Sequence, residues 1–339
     1  MCASHSRSAG NPLPDEPTSV SGESLPRCSP LIQANIYTLF MPGAGMFMHH
    51  LLPIGYTFTH DDTEVKQMIR RSYLFVPGDR PDRFEKARQS GADAVILDLE
   101  DAVQSTHKDL ARQAVAACLD PLRPVYVRIN AAGTPWFERD LEVVGLPGVL
   151  GVVLPKAEHP EQVAQVTAHL MDQAPVLPLL ESALGIWNAR ALAQAPRVER
   201  LAFGSVDFQL DTGISGEQEE LLYARSRLVL ASRVASILPP VDGVTMALDD
   251  LTRLQEDVAR ARRLGFGGKL CIHPKQVETI NQGFAPTEAE QAWARRILEA
   301  VVTTGAGAFR LDGELIDRPV IERARSILAQ GRGEAGPRP

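Results

Sequence analysis

The sequence is short of the features that mark several large functional classes. Its 339 residues include four cysteines, Cys2, Cys28, Cys118 and Cys271, and no two of them have the spacing of a metal-ligand pair. A reducing, cytoplasmic setting is therefore expected, with Cys271, inside an apolar strand candidate, as a packed thiol and not a nucleophile. Excess basic charge is also missing: 35 Lys and Arg stand against 42 Asp and Glu, net charge -7, so neither a nucleic acid nor a membrane surface is an expected partner. No apolar run reaches the roughly 18 unbroken residues of a membrane span. The best one, "IYTLFMPGAGMFMHHLLPIGYTF", is broken by Pro42, Gly43, Gly45, His49, His50 and Pro53, and no basic segment leads into it as in a secretory signal. There is no P-loop, and the first strand candidate runs into "PGDRPDRF", not into a glycine-rich dinucleotide turn.

What is present falls into dissimilar parts. Residues 1–67 contain the Ser-, Pro- and Gly-rich "SAGNPLPDEPTSVSGESLPRCSP" and read as a disordered or non-native extension, with Met68 as a possible true start. Residues 332–339 read as a disordered tail. Between them, short β-branched runs alternate with segments of helical period. The strand candidates are residues 73–78, 94–101, 125–130, 151–156, 175–182, 200–207, 241–248 and 268–274.

The ends of these candidates are about 22 to 29 residues apart, with one gap of about 40, which suits one strand, one helix and two short loops per unit. Helical patterns fill the gaps, as in "PEQVAQVTAHLMD" and "LDDLTRLQEDVARARRLGF". In "PTEAEQAWARRILEAVV", Thr287 and Glu290 have the spacing of a capping box. Strands this apolar imply a parallel sheet covered by helices on its outer face, and eight such units imply a (β/α)8 TIM barrel over residues 68–305. A C-terminal hairpin-helix extension is expected over residues 306–331, its "DG" at 312–313 marking the hairpin turn.

A barrel places chemistry at the C-terminal ends of its strands. Those ends carry Asp79, Arg80, Asp98, Glu100, Asp101, Arg128, Asn130, Lys156, Glu181, Asp207, Asp249 and His273. Any one of them could simply be the first residue of a solvated loop. Glu181 and Asp207 stand out, because both end strongly apolar runs in adjacent units. Neighbouring carboxylates either share a proton as an acid-base pair or bind a cation; with oxygen ligands alone, that cation is Mg2+. Arg128 offers a planar cationic fork for a carboxylate or an oxyanion, or an ion pair with Asp98 or Glu100, and these roles are compatible. Arg80, Arg83 and Lys86 are expected near the start of the first helix, as a phosphate-binding set or as a solvated face. His273 reads at least as well as a structural residue as a base.

Taken in order, "RSYLFVPGDRPDRFEKA", "ILDLEDAV", "VRIN", "LLESALGI", "FGSVDF" and "IHPKQV" resemble the citrate lyase β-subunit group of the HpcH/HpaI aldolase family. The resemblance implies Mg2+ on Glu181 and Asp207, Arg128 against the 2-oxo acid part of the substrate, and acidic residues of "DLEDAV", Glu100 among them, close to the site. It implies Arg80, Arg83 and Lys86 on coenzyme A phosphates. The segment "LDGELIDRPVI" resembles one that reaches a neighbouring subunit's site, which makes Asp317 a candidate acid or base and a homo-oligomer, trimer or hexamer, the expected assembly. The implied reaction is cleavage of a 3-hydroxyacyl thioester (citryl-, malyl- or citramalyl-CoA-like) to a 2-oxo acid and an acetyl thioester. The resemblance leaves open a thioester hydrolase of malyl-CoA type, and a citrate lyase β subunit active only with an acyl-carrier partner.

Overall fold

Eight parallel strands close into a barrel in chain order, with β8 returning to pair with β1. They are β1 (Ser72–Pro77), β2 (Ala94–Asp98), β3 (Val125–Arg128), β4 (Val149–Leu154), β5 (Val176–Leu180), β6 (Ala202–Phe203), β7 (Val241–Asp242) and β8 (Gly268–Cys271). This is the expected (β/α)8 architecture. The computed structural model describes residues 70–171, 173–304 and 307–331. The expectations for residues 1–67 and 332–339 lie outside the described residues.

The two-residue alternation of each strand sorts its side chains between two apolar layers. Tyr73, Ala94, Ile96, Tyr126, Val153, Leu177, Leu179 and Leu270 fill the barrel interior. Their neighbours Leu74, Val76, Val95, Leu97, Val127, Val152, Leu180 and Cys271 pack outward under the helices. Burial pushes the Cys271 thiol up to about 12, and its Sγ lies 3.3 Å from the Tyr73 carbonyl oxygen, so it is a packed thiol, as expected. At the N-terminal end of the strands Arg200, fully buried, donates to the carbonyls of Arg70 and Pro239 at 2.8 Å and to the Tyr73 hydroxyl at 3.2 Å. That arginine closes the barrel floor and leaves the opposite end as the mouth.

Six of the eight strands are shorter than the runs that mark them, because the chain turns as soon as it reaches the polar residues, while β1 and β4 keep the expected length one and two residues earlier in the chain. The correction is largest at β7, expected over residues 241–248 and ending at Asp242, and at β6, expected over residues 200–207: there the strand stops at Phe203, and helix Ser205–Thr212 begins after Gly204. Asp207 therefore sits in the first turn of a helix and not at a strand end.

After β8 the chain forms helices Val277–Phe284 and Glu288–Thr304, the hairpin β9 (Phe309–Leu311) and β10 (Glu314–Ile316), and helix Arg318–Gly331. The capping box forms: Glu290 N–H donates to Thr287 Oγ1 at 3.1 Å, and Thr287 N–H to Glu290 Oε2 at 2.8 Å. Asp312 and Gly313 take positive φ, 51° and 86°, as a two-residue hairpin turn requires. Ile316, Ile321, Ala324 and Ile327 pack on Ala294 and Ile297 in an apolar cluster separate from the barrel core. Among the described residues, no helix is long and apolar enough to cross a membrane.

Candidate active site

The inward positions of the strands continue past the apolar layers as charges. On β2 the inward series Ala94, Ile96 ends at Asp98; on β3 Tyr126 is followed by Arg128; on β5 Leu177 and Leu179 are followed by Glu181. Register then sets neighbours, since Asp98 pairs directly with Arg128 across β2 and β3.

Arg128 is held from two sides. Its Nε lies 2.7 Å from Asp98 Oδ1, Nη2 contacts Asp98 Oδ2, and Nη1 lies 2.9 Å from Glu100 Oε2. The guanidinium carbon stands 4.5 Å from the centre of the Phe75 ring. Burial opposes its charge, but Asp98 and Glu100 outweigh that and raise its pKa, so the fork is permanently cationic. Both ion pairs that the sequence offered as alternatives are thus made together.

Asp98, 0% exposed, also shapes the "DLED" loop by accepting from the backbone N–H of Glu100 at 2.8 Å and of Ala102 at 3.3 Å. From below, Lys108 Nζ donates to the carbonyls of Leu99 and Glu100, each at 2.7 Å. The loop is pinned on both sides, which turns the Glu100 carboxylate into the mouth. Burial raises the Glu100 pKa against the opposing charges of Arg128 and Lys156.

Glu181, 3% exposed, accepts at Oε1 from the Lys156 backbone N–H at 2.7 Å. Leu180 pairs with Phe203, which brings Gly204 against the Glu181 side chain. Burial first, then the charges of Glu100 and Asp207, push the Glu181 carboxyl up to about 8, with Lys156 pulling the other way. Lys156 Nζ lies 2.7 Å from Glu100 Oε1, 3.6 Å from Asp101 Oδ2, 3.8 Å from Asp207 Oδ1 and 4.0 Å from Glu181 Oε1. The structure therefore brings Glu181, Asp207, Glu100 and Arg128 into one group. Sequence reasoning placed Lys156 at a strand end and gave it no part in the site; its signal was the "VVLPK" ending.

Among the described residues, Asp98, Glu100, Asp101, Glu181 and Asp207 outnumber the cations that face them, Arg128 and Lys156 in ion pairs and Lys108 from behind the loop. The donors are all oxygen, and one is a buried carboxyl that holds its proton to about pH 8, so the mouth suits a hard divalent cation. Among the described residues, no three His, Cys, Asp or Glu side chains form a metal-holding group. A cation here would take Glu181 and Asp207 and complete its shell from water or substrate, the habit of Mg2+.

The remaining expected residues lie apart from this group. Arg80 is exposed and bound to Asp82, with Nη2 2.8 Å from Oδ2, and it precedes a 3-10 turn (Pro81–Arg83) that leads into the five-residue helix Phe84–Arg88. This corrects the single helix start expected there, although Arg83 and Lys86 are also exposed at the mouth end of β1. Asp317 is half-buried and accepts from Val320 N–H at 3.4 Å within its own turn. Asn130 donates to Asp140 at 2.6 Å, and the His273 ring accepts from Lys275 N–H at 3.1 Å as a cap, so both are structural.

Known proteins resemble this chain over most of its length. The chain is 40% identical to a citrate lyase subunit beta-like protein of Deinococcus radiodurans over 77% of its length and 97% of that protein. It is 33% identical to a (3S)-malyl-CoA thioesterase of Cereibacter sphaeroides, over 78% and 95% of the two chains. Among solved structures it is similar to the protein CitE of Mycobacterium tuberculosis in complex with magnesium, acetoacetate and coenzyme A, at 34% identity and a TM-score of 0.71, covering 79% of this chain and 100% of that one. Residues 71–274, which span the whole barrel from β1 to β8, match the family as a unit, and the chain belongs to the HpcH/HpaI aldolase/citrate lyase family.

Proposed function

We propose that the protein is a Mg2+-dependent carbon–carbon lyase that cleaves a 3-hydroxyacyl thioester of the citryl-, malyl- or citramalyl-CoA kind to a 2-oxo acid and an acetyl thioester. The observation that carries this reading is the Glu181–Asp207 carboxylate pair sharing one barrel mouth with a doubly anchored Arg128. Mg2+ held by Glu181 and Asp207 would supply Lewis-acid polarisation of the substrate hydroxyl and its adjacent carboxylate.

Arg128, immobilised by Asp98 and Glu100, presents its charge where the hydroxyl oxygen becomes negative as its proton passes to solvent. Glu100 orients both cations of the mouth, with one oxygen toward Arg128 and the other toward Lys156. As the carbon–carbon bond breaks, its electron pair moves to the acetyl carbon and the hydroxyl carbon becomes the 2-oxo group. The resulting enolate takes a proton from the carboxylic acid form of Asp317, supplied by a neighbouring subunit of a trimer or hexamer, and solvent then reprotonates Asp317. Exposed Trp187, Leu210, Tyr223 and Leu230, on helices beside the mouth-forming units, supply apolar surface for such an assembly. Arg83 and Lys86, with Arg80 once it leaves Asp82, would take coenzyme A phosphates.

The likeness to a (3S)-malyl-CoA thioesterase supports a second reading, hydrolysis of the thioester with the hydroxy acid left intact. The test is to incubate the purified protein and Mg2+ with citryl-CoA, malyl-CoA and citramalyl-CoA, and to assay oxaloacetate, glyoxylate and pyruvate. A 2-oxo acid from any of them supports the lyase; free thiol without 2-oxo acid supports the hydrolase. Activity only after an acyl-carrier protein is added would mark a dependent subunit, and inertness in every arm would overturn the proposal.

A further inference from the structure

We propose that Lys156 is a built-in counter-cation that competes with Mg2+ for the carboxylates of the mouth and so sets how tightly the metal is held. This rests on the metal reading of Glu181 and Asp207. Two parts of the same residue act on the site. Its backbone lies in the left-handed region, φ 49°, a conformation that side chains beyond Gly, Asn and Asp seldom adopt. That geometry aims the Lys156 N–H at Glu181 Oε1, 2.7 Å away, and fixes the carboxylate.

The side chain does the opposite. Its ammonium stands within 4.0 Å of oxygens from Glu100, Asp101, Glu181 and Asp207. It therefore occupies the same negative potential that a divalent cation would use, and a cation entering between Glu181 and Asp207 meets its repulsion. The side chain is 42% exposed, so it has a route to solvent as the metal enters. The backbone of Lys156 thus prepares the metal ligand while its charge weakens the metal, and a cation faces these carboxylates in either state.

The two parts separate by substitution. Lys156→Asn removes the ammonium and keeps a residue that tolerates the left-handed backbone; Lys156→Met removes the charge and keeps most of the side-chain length; Lys156→Arg keeps the charge. Mg2+ binding is measured by calorimetry on the full chain, together with the rise in Tm on adding Mg2+. The expected result is about tenfold or more tighter Mg2+ binding in both neutral variants, with a larger Mg2+-induced rise in Tm, and binding within about threefold of the parent in Lys156→Arg. A neutral variant that folds only with Mg2+ present also supports the proposal, since metal then replaces the lysine.

Equal or weaker Mg2+ binding in folded neutral variants would overturn it, as would a neutral variant that stays unfolded at every Mg2+ concentration, which would make Lys156 scaffolding. If the parent chain binds Mg2+ and the variants do not bind it tighter, only this proposal fails. If the parent chain itself binds no Mg2+, the metal reading fails and takes the proposal with it.

Discussion

Glu181 fills the space that Gly204 leaves by lacking a side chain: a Cβ on Gly204 would clash with Glu181 Oε2 and lie 2.5 Å from Glu181 Cβ. The second contact involves an atom next to the backbone, so the glutamate cannot swing clear without moving β5. Gly204→Ala is expected to cost about 1–3 kcal/mol of stability and to displace the carboxylate, weakening Mg2+ binding and activity by at least about tenfold. Thermal melting and metal titration on one sample check it; unchanged metal affinity would show that Glu181 does not need its present place.

Arg128 is the fork that ties β2 to β3 and to the "DLED" loop. Lysine keeps the charge but cannot bridge Asp98 and Glu100 at once, so Arg128→Lys is expected to lower kcat by about 10²- to 10³-fold with smaller changes in Mg2+ affinity. Arg128→Ala leaves Asp98 buried without its partner and is expected to destabilise the fold by about 3–5 kcal/mol. Steady-state kinetics and denaturant melts separate the two effects.

The Glu181 carboxyl, raised to about 8 without metal, gives Mg2+ binding a definite pH dependence. Below that value a proton must leave before the carboxylate can hold the ion. Apparent Mg2+ affinity should therefore rise with pH, by up to about tenfold per unit, and level off above pH 8. For metal-free protein the sign is opposite. The folded pKa lies above the ordinary 4.5, so this group's contribution to stability is present below pH 4.5 and is lost as pH rises through 8. Calorimetry in buffers of different ionisation enthalpy would detect the released proton; a pH-independent affinity would argue against Glu181 as a ligand.

Asp317 lies on the hairpin-helix extension and bonds within its own turn, which suits a residue that acts on another subunit. Asp317→Ala should abolish turnover and leave Mg2+ affinity nearly unchanged, with only the loss of about 1 kcal/mol in stability that removing the helix cap brings. Mixing inactive Asp317→Ala with inactive Glu181→Gln should restore part of the activity if each site draws on two chains. No recovery after subunit exchange would place the acid elsewhere.

Much of this architecture is legible in the chain because the barrel repeats one simple pattern. Each of the eight apolar runs overlaps a strand, and the inward series ending in Asp98, Arg128 and Glu181 follows from alternation alone. The exact strand ends are not legible: apolar residues continue through 200–207, yet the chain turns at Gly204, where the Glu181 side chain fills the space a side chain would need. The part played by Lys156 is hidden too, since it depends on a positive φ and on carboxylates from three other strand-loop units. Arg80 shows a further limit: the spacing of its cations suggests a phosphate site and does not reveal the local pair with Asp82, two residues away, that Arg80 must leave to take part.

The most direct test follows 2-oxo acid and free thiol together in one reaction of the full-length protein with each of the three thioesters, with and without Mg2+. Glu181→Gln is run beside the parent chain. A lyase releases 2-oxo acid from one thioester in proportion to substrate lost, without matching free thiol, only with Mg2+, and at least about 10²-fold more slowly in Glu181→Gln. Substrate loss that yields thiol and no 2-oxo acid, or 2-oxo acid formed equally well without Mg2+ or by Glu181→Gln, would contradict a metal-assisted carbon–carbon cleavage at this mouth.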